Sequence, residues 1–90
     1  MGRRQTFLSA LWSERWKSSY AELAPERQAS CDRAVLALIK RESPPGLRVK
    51  PIEPEKYYLE ARISAGDRIV CRVEGETIYF VDVVKHDDIE

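Results

Sequence analysis

Ninety residues fit one small domain, 1–90, with a single core and little surface burial to spare. Fifteen basic residues balance fifteen acidic ones, which excludes a chain whose whole surface grips nucleic acid by charge. The first twenty residues hold Arg3, Arg4 and Arg15 but no long apolar run, so neither a signal peptide nor a membrane span is predicted, and a cytoplasmic location is expected.

The charge balance hides an asymmetry. Residues 1–50 carry ten Lys/Arg against five Asp/Glu, and residues 51–90 carry five against ten. A basic patch is therefore expected to draw on the first half. Cys31 and Cys71 sit in apolar patterns without CxxC spacing, as small buried hydrophobes do. With one histidine and no Cys/His cluster, no metal site or cofactor is predicted.

Taken in order, residues 5–12 (QTFLSALW) read as a strand, and Ser13-Glu14 as a helix start. A serine hydroxyl accepts an orphan amide there, and an acidic side chain meets the positive end of the helix dipole. The first helix is predicted over 13–22, with Trp16, Tyr20 and Leu23 facing inward. Ala24-Pro25-Glu26 breaks and restarts the helix. From Pro25 to about Arg41, residues Cys31, Ala34, Val35, Leu38 and Ile39 form one apolar stripe, with Arg27, Asp32, Arg33 and Lys40 on the solvated side. The helical hairpin thus covers about 13–41 and needs a partner for its apolar faces.

Ser43-Pro44-Pro45-Gly46 ends the second helix, and the stretch through Glu55 is predicted to lack regular structure. Three strands follow over about 57–85. Ser64-Ala65-Gly66-Asp67 makes the first turn and Glu74-Gly75 the second, pairing Val73 with Glu76, Cys71 with Ile78 and Ile69 with Phe80. That face is apolar and lies under the helices. The other carries Arg68, Val70, Arg72, Thr77, Tyr79, Val81 and Val83 and stays open. The prediction is an α+β domain in two layers, β-α-α-β-β-β, its antiparallel sheet covered on one face by the helical hairpin.

Arg62 and Arg68 bracket the first turn, Lys50 lies upstream, and His86 follows the last strand. Histidine beside arginine suits phosphodiester cleavage: imidazole moves protons near neutral pH, and guanidinium stabilises the added charge. The same residues also read as ordinary ion pairs of Arg62 and Arg68 with Glu60, Asp67 or Asp82. Tyr57, Tyr58 and Tyr79 are available for base stacking, whereas Trp12, Trp16, Tyr20 and Phe80 fit the core.

The element order, with ARISAGDRIVCRV and IYFVDVVKHDD, resembles the RelE/ParE superfamily of toxins from bacterial type II toxin–antitoxin modules. In the YoeB branch an arginine precedes a turn, a second arginine opens the next strand, and a histidine closes the last strand. Arg62, Arg68 and His86 stand at those places. The resemblance implies a microbial-ribonuclease-like fold, a cognate antitoxin as partner, and either mRNA cleavage on the ribosome or, as in the ParE branch, inhibition of gyrase without cleavage. A catalytically decayed toxin and an unrelated small α+β interaction domain are the further alternatives. Under the nuclease reading Arg68 and His86 are catalytic, and Lys50, Arg62 and Arg72 bind the RNA. Asp87 replaces a tyrosine usual in the ribonuclease branch, Leu59 and Ala61 replace lysines of the RelE branch, and Glu53 is the nearest candidate for a base.

Overall fold

Local chemistry sets where each element begins. The computed structural model describes residues 6–42, 47–52, 58–64 and 66–85. Strand β1 (Ser9–Trp12) ends at Ser13, whose Oγ accepts the Trp16 amide at 3.0 Å and so caps α1 (Glu14–Ala21). The same hydroxyl donates to the Val81 carbonyl oxygen at 2.6 Å, fixing the helix start to the last strand. Trp16 is buried against Phe80, their ring centroids 5.3 Å apart.

Helix α2 (Pro25–Ile39) starts on its proline and buries Cys31, Ala34, Ala37 and Leu38. It stops in a Schellman turn: the Arg41 amide donates to Leu38 at 3.0 Å and the Glu42 amide to Ala37 at 2.9 Å. Arg41 takes the left-handed conformation there, at φ 58°, a place usually given to glycine. Its guanidinium lies 3.9 Å above the centre of the Phe7 ring and 3.8 Å from Glu76, contacts that offset the backbone cost of about 1 kcal/mol.

The sheet is completed by β2 (Lys50–Pro51), β3 (Leu59–Arg62), β4 (Asp67–Glu74) and β5 (Thr77–Lys85). Among the described residues the strand order is β1-β5-β4-β3-β2. β1 pairs in parallel with β5, and the other neighbours are antiparallel. The two-layer α+β arrangement expected from the sequence is present, with one strand more than expected. Lys50 and Pro51, predicted to lie in an irregular stretch, pair with Glu60 and Leu59. Proline is tolerated there because β2 is an edge strand.

The hairpin register differs from the prediction. Glu74 pairs with Thr77, leaving Gly75-Glu76 as the turn, with Gly75 at φ 59°. Val73 therefore opposes Ile78, and Cys71 opposes Phe80. A β-bulge follows, since Val70 pairs with Asp82 and Val81 is the extra residue. One added residue inverts the alternation beyond it, which is why Val83, expected on the open face, is buried instead.

The core joins Trp16 and the buried face of α2 to Ala61, Ile69, Cys71, Ile78, Phe80 and Val83. Trp12, expected in this core, stacks on Phe80 at 5.3 Å but keeps an exposed side, because β1 is the opposite edge strand. Both cysteines are free and buried, and burial pushes each thiol up to about 12, so neither ionises near neutral pH. Among the described residues no helix is long and apolar enough to cross a membrane.

Candidate active site

Strand alternation gathers the charged residues on the face that the helices leave open. Arg62 on β3 pairs directly with Arg68 on β4, and two rows along, Lys50 pairs with Glu60, which pairs with Val70. Lys50, Glu60, Arg62, Arg68 and Arg72 therefore share one face. Two arginines side by side repel, so this arrangement needs a compensating negative charge. Glu60 supplies it. It is only 6% exposed, with Oε2 3.4 Å from Lys50 Nζ and Oε1 3.8 Å from Arg68 Nε.

The Arg68 guanidinium is anchored from its other side by the turn. Its Nη1 donates to the Ser64 carbonyl at 3.0 Å and to the Asp67 carbonyl at 3.1 Å. Its side chain is only 13% exposed, whereas that of Lys50 is 66% exposed. Such a pair suits phosphate binding: a fixed planar fork beside a mobile point charge.

The turn itself is braced from beneath. Arg27 of α2, expected to be solvated, forms a two-pronged ion pair with Asp67, with Nε donating to Oδ2 at 2.9 Å and Nη2 to Oδ1. Hydrogen bonding from Arg27 holds the Asp67 carboxyl below its ordinary range, against the opposing effect of burial. Asp82 at the bulge accepts from Ser19 Oγ at 2.7 Å and lies 3.8 Å from Arg15. Among the described residues, Glu60 pairs with Arg68, as the sequence allowed, whereas the carboxylates of Asp67 and Asp82 face Arg27, Ser19 and Arg15. A cavity of about 600 Å³ lies beside these braced aspartates and Lys85 rather than on the open face.

Arg72 lies farther along β4. Its guanidinium sits 4.8 Å over the Tyr79 ring and 3.5 Å from Glu74, and together with Tyr58 and Trp12 it lines a cavity of about 240 Å³. The structure thus brings Lys50, Arg62 and Arg68 together around Glu60 and seats Arg72 among aromatic rings. His86, Glu53, Tyr57 and Asp87 lie outside the described residues. Lys85, the last described residue of β5, pairs with Asp67 beside Arg68.

Sequence reasoning named Glu60 as an ion-pair partner but missed that it is the buried centre of the cluster. The signal was present in Leu59-Glu60-Ala61-Arg62, whose period of two puts Glu60 on the face of Arg62. Its burial was not legible, because it depends on β2 closing over that edge.

No protein-family model matches the chain, and no curated protein matches it in sequence. Solved structures do match. A copper-bound mutant toxin from Helicobacter pylori superposes with a TM-score of 0.76 at 13% identity, over 92% of this chain and 99% of that one. The E. coli DinJ–YafQ toxin–antitoxin complex gives 0.73 at 15% identity, over 88% and 92%. A YoeB/ParE toxin from Agrobacterium tumefaciens gives 0.71 at 17% identity, over 88% and 99%. These likenesses show the fold: the chain has the two-layer architecture of RelE/ParE toxins, the fold implied by its sequence resemblance.

Proposed function

We propose that this protein is the toxin of a type II toxin–antitoxin module and that it arrests translation by cutting mRNA on the ribosome. The observation that carries this reading is the meeting of Lys50, Arg62 and Arg68 on the open face, on a fold shared with toxins. In the reaction, a ribose 2′-hydroxyl loses its proton to water and attacks the adjacent phosphorus, a 2′,3′-cyclic phosphate forms, and the 5′-oxygen leaves. Arg68 stabilises the charge gathering on the phosphoryl oxygens, and His86 delivers the proton that the leaving oxygen requires. Lys50 and Arg62 hold the flanking backbone, and Arg72 with Tyr58 and Tyr79 offers a surface for a neighbouring base. An antitoxin protein, of the kind bound to YafQ in the DinJ complex, is the partner that silences it.

A second reading is kept for one reason. Glu60 places a carboxylate at the centre of the cluster, and a carboxylate near a phosphate site opposes binding of RNA. Under that reading the protein acts by binding a protein target, such as gyrase, and cuts nothing. Regulated expression separates the two. Induction is expected to stop growth and to cleave mRNA, with co-expressed antitoxin restoring growth. Both effects are expected to disappear in Arg68→Lys and His86→Ala. Toxicity that survives intact in both variants, without mRNA cleavage, would favour the protein-binding reading.

A further inference from the structure

Arg72 and Glu74 form an ion pair that contributes little to the fold. Their side chains are 29% and 54% exposed, with Nη2 of Arg72 3.5 Å from Oε2 of Glu74. A pair so open to water is screened, and its net contribution to stability is small. Its setting is nevertheless well defined. Alternation along β4 puts both residues on the open face. Arg72 is the cross-strand partner of Tyr79, and Tyr79 of Leu11, so the three form one row over β4, β5 and β1. The Tyr79 ring lies under the guanidinium and holds it by cation–π attraction. Beside it opens the cavity of about 240 Å³ that Leu11, Trp12 and Tyr58 also line. Flat apolar walls next to a cation suit an unstacked base.

Which base it suits follows from the order of donors and acceptors. A guanidinium only donates, and an ionised carboxylate only accepts. Side by side, Arg72 and Glu74 therefore present a donor next to an acceptor. The Watson–Crick edge of guanine presents the complement: the O6 acceptor, then the N1–H and N2 amino donors. Adenine and cytosine put an amino donor where Arg72 needs an acceptor. Uracil matches at O4 and N3–H, but turns its O2 carbonyl toward the carboxylate where guanine offers an amino group. We infer that this cavity is a guanine subsite, in which Arg72 donates to O6 and Glu74 accepts from N1–H and the N2 amino group. The inference rests on the ribonuclease reading for RNA as the source of the base. Arg72 stands four residues from Arg68 along β4, about 13 Å of strand. The guanine read there belongs to a nucleotide near the cut, not to the scissile phosphate itself.

Mononucleotides test the subsite on the full chain, because their 5′-phosphate is common and only the base differs. In NMR titrations at millimolar concentration, 5′-GMP is expected to bind about 10-fold more tightly than 5′-AMP, 5′-CMP or 5′-UMP and to shift the Trp12 indole and Tyr79 ring signals. 5′-IMP lacks only the N2 amino group and is expected to bind about 5-fold more weakly than 5′-GMP. Glu74→Ala removes the acceptor, and the difference between GMP and IMP is expected to vanish. Arg72→Lys keeps the charge but loses the fork, and GMP is expected to fall to the level of AMP. GMP and AMP binding alike, or neither binding, overturns the inference whether or not the protein cuts mRNA. So does a guanine preference that survives intact in folded Arg72→Lys and Glu74→Ala proteins, since other residues then read the base. Where a variant does not fold, the wild type decides: equal affinity for GMP and IMP overturns the inference. A wild type that cuts no mRNA on ribosomes, yet prefers GMP through Arg72 and Glu74, instead overturns the ribonuclease reading and leaves the guanine subsite standing.

Discussion

The two faces of the sheet use the same strands and differ in what holds them. Ala61, Ile69, Cys71, Ile78 and Phe80 point under the helices and are buried with apolar neighbours on every side. Their alternates point away, and of these Glu60, Arg68 and Arg72 are tied by ion pairs, carbonyl contacts and one aromatic ring. Packing is non-directional and tolerates exchange of similar volumes, whereas an ion-pair cluster depends on which charge stands where. The helical face therefore carries stability, and the open face holds a specific arrangement of charges at some cost to stability.

Substitutions on the two faces should separate along those lines. The largest loss is expected from Phe80→Ala, about 3–5 kcal/mol by chemical denaturation, because it removes the ring on which both Trp12 and Trp16 rest. Arg68→Lys should do the reverse. It keeps a cation beside Glu60, so unfolding free energy is expected to move by less than about 1 kcal/mol, while mRNA cleavage falls about 10²–10³-fold with loss of the fork. A large stability loss in Arg68→Lys would erase the division between the faces. Ser13→Ala joins them from the side, and about 1–2 kcal/mol is expected to disappear with the cap and its bond to Val81.

The smallest effect is one of pH. Asp67 has a folded-state pKa below its unfolded value, so the Arg27 pair contributes fully at pH above the ordinary carboxylate range. That contribution is lost as pH falls through the depressed folded value. Denaturation curves between pH 5 and 2 should therefore show a steeper fall in stability for the wild type than for Asp67→Asn. Equal slopes would mean that Arg27 does not brace the turn.

Much of the helical side was legible in the chain. Ser13-Glu14 and Pro25 fixed both helix starts to within a residue, since capping is a local event. The apolar set Ile69, Cys71, Ile78 and Phe80 followed from alternation alone. The bulge at Val81 did not, because nothing local distinguishes an extra residue in a run of β-branched and aromatic side chains. Short β2 was hidden for a related reason: two residues between prolines become a strand only when β3 offers them partners. On the open face the identities of the cations were readable, whereas the burial of Glu60 and the Arg27–Asp67 brace arise from contacts between distant elements.

The bond from Ser13 to Val81 spans 68 positions of sequence, and the parallel pairing of β1 with β5 closes the same interval. Until β5 has been made, β1 has no neighbour in the sheet and Trp16 has no Phe80 to rest on. A chain with so distant a closure cannot assemble piece by piece as it leaves the ribosome, and closing the loop is paid in entropy before the contacts return anything. The edge of the sheet at β1 and the seat of Trp16 on Phe80 come into being only with that last step.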